Sequence, residues 1–138
     1  MRKVISQFGE GALQQKLVAG DFQFLSDAEV SKGGNGTGPT PHEYLGAALA
    51  ACTSMTLKMY SARKSMNLEN AIVTVDIERA DDIEKFSRDI KLIGNLSTEE
   101  KERLLDIANK CPIHRALAGQ IQIKTQLVNQ YKPGRLMQ

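Results

Sequence analysis

A single uninterrupted helical pattern, from Pro41 to about Ser65, constrains this chain more than any other feature. It opens at Thr40-Pro41-His42-Glu43. Thr40 can cap, Pro41 suits the first helical position, and Glu43 can bond back to the cap's N–H. From there Leu45, Ala48, Leu49, Cys52, Met55, Thr56 and Met59 recur at steps of three and four, which predicts one continuous buried stripe. Lys58, Ser61, Arg63 and Lys64 form the opposite face, and the basic C-terminal end suits the helix dipole. Such a helix is long for a domain cut from 138 residues. A core this small can hardly cover the whole stripe alone, so a homodimer is expected.

The flanking segments read as β structure and a second helix. Val4 to Phe8, Leu13 to Val18 and Asp21 to Leu25, broken at Gly9, Gly11 and Gly20, predict a strand meander. Lys32 to Pro39 is too glycine-rich for regular structure and predicts a loop. It lacks the Gly-Lys-Ser/Thr ending of a phosphate cradle and the spacing of a dinucleotide fingerprint. After the long helix, Ala71 to Glu78 alternates apolar and polar residues as a half-buried strand, with Phe86 to Ile93 as its antiparallel partner. Ser97-Thr98-Glu99-Glu100 is a second capping box, opening a helix whose Leu104, Ala108 and Cys111 share a face. Pro112 ends that helix and can start another turn. Gly119 precedes a last alternating strand, Gln120 to Leu127, and residues 128–138 read as a polar tail. The expectation is one α+β domain over residues 1–138, without internal repeats.

Apolar residues at 41% and charged residues at 25% describe an ordinary soluble globular protein. The net charge of +2 is spread without any dense Lys/Arg block, which argues against nucleic-acid and membrane-surface partners. The N-terminus is basic but lacks a following apolar run, so no signal peptide is expected and the cytoplasm is the expected compartment. No stretch approaches the roughly 20 apolar residues of a membrane span. Two cysteines are too few to hold a zinc ion by Cys ligands alone, and no other motif asks for a metal or cofactor.

Cys52 and Cys111 are the only cysteines, far apart in sequence and each on an inward helix position. In a reducing compartment such a pair points to thiol redox chemistry, or to two small core residues; spacing alone leaves both open. A peroxide-reducing thiolate becomes a sulfenic acid, and a second cysteine rescues it by forming a disulfide that a dithiol can reopen. Local electrostatics favours Cys111 as the thiolate. It lies beside a helix start and near His114 and Arg115, whereas mid-helix Cys52 needs a nearby cation. Arg115 can instead pair with an acid such as Asp106, and His42 can meet the thiolate or face solvent. Glu43 already has a use in the capping box.

Gly38-Pro39-Thr40-Pro41-His42-Glu43-Tyr44-Leu45, the run Ala48 to Leu57 around Cys52, and Lys110-Cys111-Pro112-Ile113-His114-Arg115 together resemble the OsmC/Ohr family of osmotically inducible and organic-hydroperoxide-resistance proteins. The resemblance covers roughly residues 30 to 125. It implies an intertwined homodimer with active sites at the subunit interface, and reduction of organic hydroperoxides. The reductant it implies is a dithiol such as a lipoylated protein. By position Cys52 resembles the peroxidatic cysteine and Cys111 the resolving one, the reverse of the local electrostatic preference. The resemblance also implies an activating arginine from the N-terminal strand region, where this chain offers Arg2, Lys3, Lys16 and Lys32. The family's peroxidases carry a glutamate directly after the helix-opening proline; here that residue is His42, with Glu43 one place later. The competing functions are a Cys/His hydrolase and a non-catalytic dimer that binds apolar ligands.

Overall fold

Two β-hairpin regions separated by one helix set the architecture. The computed structural model describes residues 1–130. Its elements are β1 (Val4–Phe8), β2 (Gln15–Ala19), β3 (Phe22–Ser26), a 3₁₀ turn at Val30–Lys32, α1 (Pro41–Arg63), β4 (Asn70–Ala80), β5 (Ile83–Ile93), α2 (Thr98–Ala108) and α3 (Pro112–Ala118). The class is α+β, with the meander, long helix, hairpin and second helix in the expected order. Two compact units contain them: residues 1–44 with residues 124–130, and residues 45–123.

In the first unit β1, β2 and β3 form an antiparallel sheet in chain order, with Ile5 opposite Val18 and Leu17 opposite Phe24. The glycine-rich loop that follows is wrapped around Asp27, only 3% exposed. Its carboxylate accepts from the Ala28 N–H at 2.7 Å, the Asn35 N–H at 3.3 Å, the Thr37 N–H at 3.1 Å and the Thr37 hydroxyl at 2.5 Å. These bonds, the Thr37 hydroxyl first, hold the carboxyl below its ordinary range. Gly34 is needed for the close approach, because a Cβ there would lie 2.1 Å from the Ala28 carbonyl oxygen. The loop delivers the chain to a capping box in which Glu43 N–H donates to Thr40 Oγ1 at 3.2 Å and Thr40 N–H donates to Glu43 Oε1 at 2.9 Å.

The second unit is built on β4 and β5, which pair antiparallel along their whole length. Their connection is Asp81-Asp82, both at positive φ, as a two-residue hairpin turn of matching twist requires. Alternation turns Ala71, Val73, Val75 and Ile77 of β4 and Glu84, Phe86, Arg88, Ile90 and Leu92 of β5 to one face. On α2, Ser97 and Glu100 close the second capping box as expected. The core joins Leu57 of α1 to Leu104, Ile107 and Ala108 of α2, with Tyr60, Met66, Leu68, Ile90 and Leu92 packed around them.

Three expectations need correction. The buried stripe of α1 is Gly46, Leu49, Thr53, Leu57 and Ser61. Leu45, Met55 and Met59 are exposed and Cys52 is half-buried. The helix is apolar on more than one side, and hydrophobicity alone does not choose between sides. Thr53 and Ser61 can be buried because each hydroxyl donates to a helix carbonyl, Leu49 O at 2.7 Å and Lys58 O at 3.1 Å. Gly46 brings the helix against Val75 and Ile77 of β4.

Second, α2 ends at Ala108, so Cys111 is not on it but caps α3. Third, Gln120 to Leu127 forms no strand. Its apolar residues stand open, Ile123 at 84% and Leu127 at 97%, because a strand needs a ladder partner and no described strand pairs with it. Of the expected polar tail, residues 128–138, the part from residue 131 on lies outside the described residues.

Candidate active site

The chemistry-bearing side chains of the second unit converge where α1, β5 and the α2–α3 turn meet. Cys111 is fully buried. Extended backbone at Cys111, followed by Pro112 in the first turn, makes it the N-cap of α3, and its sulfur accepts the His114 N–H at 3.2 Å. The side chain of Cys52 approaches it from α1 and helps to lower its pKa. Thr53, the next residue on α1 and also fully buried, has its hydroxyl 3.9 Å from the same sulfur. Burial pushes the Cys111 thiol up, but the His114 N–H, the Cys52 and Thr53 side chains and the Ile113 N–H outweigh it, and the thiol is more acidic than usual. Both cysteines are free thiols.

Arg88 of β5 completes the cluster. Its Nη1 donates to Thr53 Oγ1 at 3.0 Å and to the Ala108 carbonyl at 3.3 Å, and its Nη2 donates to Asn109 Oδ1 at 2.8 Å. Beside it a pocket of about 240 Å³ has an apolar wall of Leu49, Phe86, Leu117 and Ala118 and a polar side of Glu84, Arg88 and His114. Glu84 Oε1 accepts from Arg79 at 3.0 Å. The arrangement offers a buried, acidified sulfur, a second and more open sulfur beside it, and a cation one hydroxyl away.

Of the residues singled out in the sequence, Cys52, Cys111 and His114 come together here, His114 through its backbone and as part of the pocket wall. Arg115 is exposed, and its polar contact with Cys111 is from its own N–H to the Cys111 carbonyl at 3.1 Å. No ion pair joins it to Asp106 among the described residues. His42 and Glu43 are exposed in the first turn of α1, in the other unit, where Glu43 serves the capping box. Arg2, one of the N-terminal cations considered, lies over the Phe22 ring at 5.1 Å.

Arg88 and Thr53 were missed. A signal for Arg88 was available: β5 reads Phe86, Arg88, Ile90, Leu92 at every second residue, so the arginine stands in the apolar phase of the strand. Among the described residues no cluster of three or more His, Cys, Asp or Glu side chains is arranged to hold a metal. No described helix is long and apolar enough to cross a membrane.

Comparison with known proteins gives a consistent picture. The family model described as OsmC-like protein matches residues 33–126. An uncharacterized protein of Haloferax volcanii is 26% identical over 113 residues, 79% of this chain and 82% of the relative. Among solved structures, an OsmC-like protein from Mycoplasma pneumoniae superposes with a TM-score of 0.76 at 19% identity, covering 86% of this chain and 88% of that one. An organic hydroperoxide resistance protein OsmC from Legionella pneumophila superposes at 0.63 and 22% identity, covering 86% and 90%. At these identities the structural likeness shows the fold.

Proposed function

The chain belongs to the OsmC-like protein family, and on that basis we propose that it is a cytoplasmic, two-cysteine thiol peroxidase that reduces organic hydroperoxides in defence against oxidative stress. The observation that carries this reading is the convergence of the Cys52 and Cys111 side chains, two residues 59 positions apart in sequence, near enough for Cys52 to influence the acidity of Cys111.

Access and acidity divide the work. Cys52, the more open sulfur, is where a hydroperoxide can arrive. As the thiolate it attacks the outer oxygen of ROOH; an S–O bond forms, the O–O bond breaks, and the leaving alkoxide takes up a proton and departs as ROH. Cys111 then attacks the sulfenic sulfur. The S–S bond forms, the S–O bond breaks, and hydroxide leaves as water after taking a proton. A dithiol, of which a lipoylated protein is the expected form, next attacks the open Cys52 sulfur and expels Cys111. The second thiol of the reductant displaces Cys52 and leaves as a cyclic disulfide. Because the more acidic thiol is the better leaving group, the acidity of Cys111 serves the reduction step. The apolar wall of the pocket suits an organic R group better than hydrogen peroxide.

We read the working form as a homodimer. The exposed face of α1, with Leu45 at 42%, Met55 at 64% and Met59 at 62%, and the unpaired alternating segment Gln120 to Leu127 are surfaces a second copy would cover. The reading is tested by following hydroperoxide loss with a dithiol and then a monothiol as reductant. Turnover of cumene hydroperoxide with dihydrolipoamide, at least tenfold faster than with hydrogen peroxide, is expected; no turnover of either peroxide would reject it.

A further inference from the structure

We propose that Arg88 is the positioning residue of the thiol pair, holding the Thr53 hydroxyl so that it donates to Cys111 whenever that sulfur carries negative charge. The use made of that charge rests on the peroxidase reading, since Cys111 is charged when it attacks the sulfenic acid and again when it is expelled from the disulfide.

A guanidinium at an inward strand position, between Phe86 and Ile90, is costly to desolvate unless its donors are satisfied. Two of its three acceptors, the Ala108 carbonyl and Asn109 Oδ1, belong to the C-terminal end of α2, where a cation also complements the helix dipole. They explain why an arginine can sit there. They do not explain the third bond, to Thr53 Oγ1.

A hydroxyl has one proton and two lone pairs. Arg88 occupies a lone pair of Thr53, which leaves the proton two destinations, the Leu49 carbonyl at 2.7 Å and Cys111 Sγ at 3.9 Å. While Cys111 is a neutral thiol, the shorter bond to Leu49 holds the proton. A thiolate is a charged acceptor and draws the hydroxyl across. The Arg88 bond fixes the oxygen in place for that swing and polarises its O–H. The other ionisable groups gathered here are Cys52 from α1, Glu84 on the same face of β5 and His114 on α3, whose contact with the sulfur is a backbone N–H.

The test uses the full-length Cys52→Ser protein, in which Cys111 is the only thiol, and follows thiolate absorbance near 240 nm against pH, with the cysteine-free protein as blank. Thr53→Val and Arg88→Met should each raise the midpoint of thiolate formation by about one pH unit, Thr53→Ser should restore the parent midpoint, and Arg88→Met with Thr53→Val should shift it no further than Thr53→Val alone. Arg88→Lys, which keeps the charge but cannot span three acceptors, should fall between and stands in if the Met variant does not fold. A midpoint unchanged in the Arg88 variants, whatever their stability, would make Arg88 a mere anchor of α2 and overturn the proposal. Full shifts in the Cys52→Ser background, together with a parent protein that consumes no hydroperoxide although both its cysteines are intact, would support Arg88's role and count against the peroxidase reading alone.

Discussion

Cys52→Ser is expected to abolish hydroperoxide consumption, while Cys111→Ser should permit a single turnover and then accumulate sulfenic or higher acids on Cys52. The difference follows from exposure and bonding. Cys111 has no exposed surface and is held by the His114 N–H, so on the proposed peroxidase reading Cys52 is the sulfur a peroxide should reach first. Without Cys111 the sulfenic acid on Cys52 has no internal thiol to condense with and is left to oxidise further. The loss in the first variant should be at least about a thousandfold, because an oxygen nucleophile at position 52 has neither the thiolate's nucleophilicity nor its redox chemistry. Intact-protein mass spectrometry after one equivalent of hydroperoxide separates the two roles. First oxidation on Cys111 in the parent would reverse the assignment and make Cys111 the nucleophile.

Leu104→Ala should cost about 2–5 kcal/mol of stability, close to what a small domain has in total. Leu104 has no exposed surface and packs with Leu57, Ile107 and Ala108 at the contact of α1 with α2. Truncation leaves a cavity among residues that α2 cannot close without shifting its C-terminal end. That end carries the Ala108 carbonyl and Asn109, which hold Arg88. The neighbouring Leu105 is 57% exposed, and Leu105→Ala should change stability by less than about 0.5 kcal/mol. Urea denaturation followed by circular dichroism measures both. Equal costs for the two variants would place the core on the wrong face of α2.

Local rules made most of the fold legible. Both capping boxes lie where Thr40–Glu43 and Ser97–Glu100 place them, because such a bond pattern is complete within four residues. The meander and the β4–β5 hairpin follow from alternation and from turn residues between them. What failed depends on partners distant in sequence. The α1 face turned to the core was misread since apolar residues occur on both sides, and the deciding features are the smallness of Gly46 and the self-satisfied hydroxyls of Thr53 and Ser61. Gln120 to Leu127 has a strand's alternation but no ladder among the described residues, and alternation states only a willingness to pair.

The site divides in the same way. Cys52 and Cys111 were legible as a pair from composition and motif, and the acidity expected of Cys111 agrees with its place at the N-cap of α3. Its sources differ in part: His114 contributes its backbone N–H, and Arg115 contributes no side-chain contact. Arg88 sits on β5 and reaches Thr53 of α1 and the end of α2 only through tertiary packing.

The most direct measurement of the central claim is a count of free thiols before and after one equivalent of cumene hydroperoxide, with peptide mapping under non-reducing conditions. A redox pair predicts the loss of both thiols, a fall of about 2 Da in protein mass, one equivalent of cumyl alcohol, and a single Cys52–Cys111 linked peptide. Two thiols left intact, or one lost with oxygen added and no linked peptide, would contradict it.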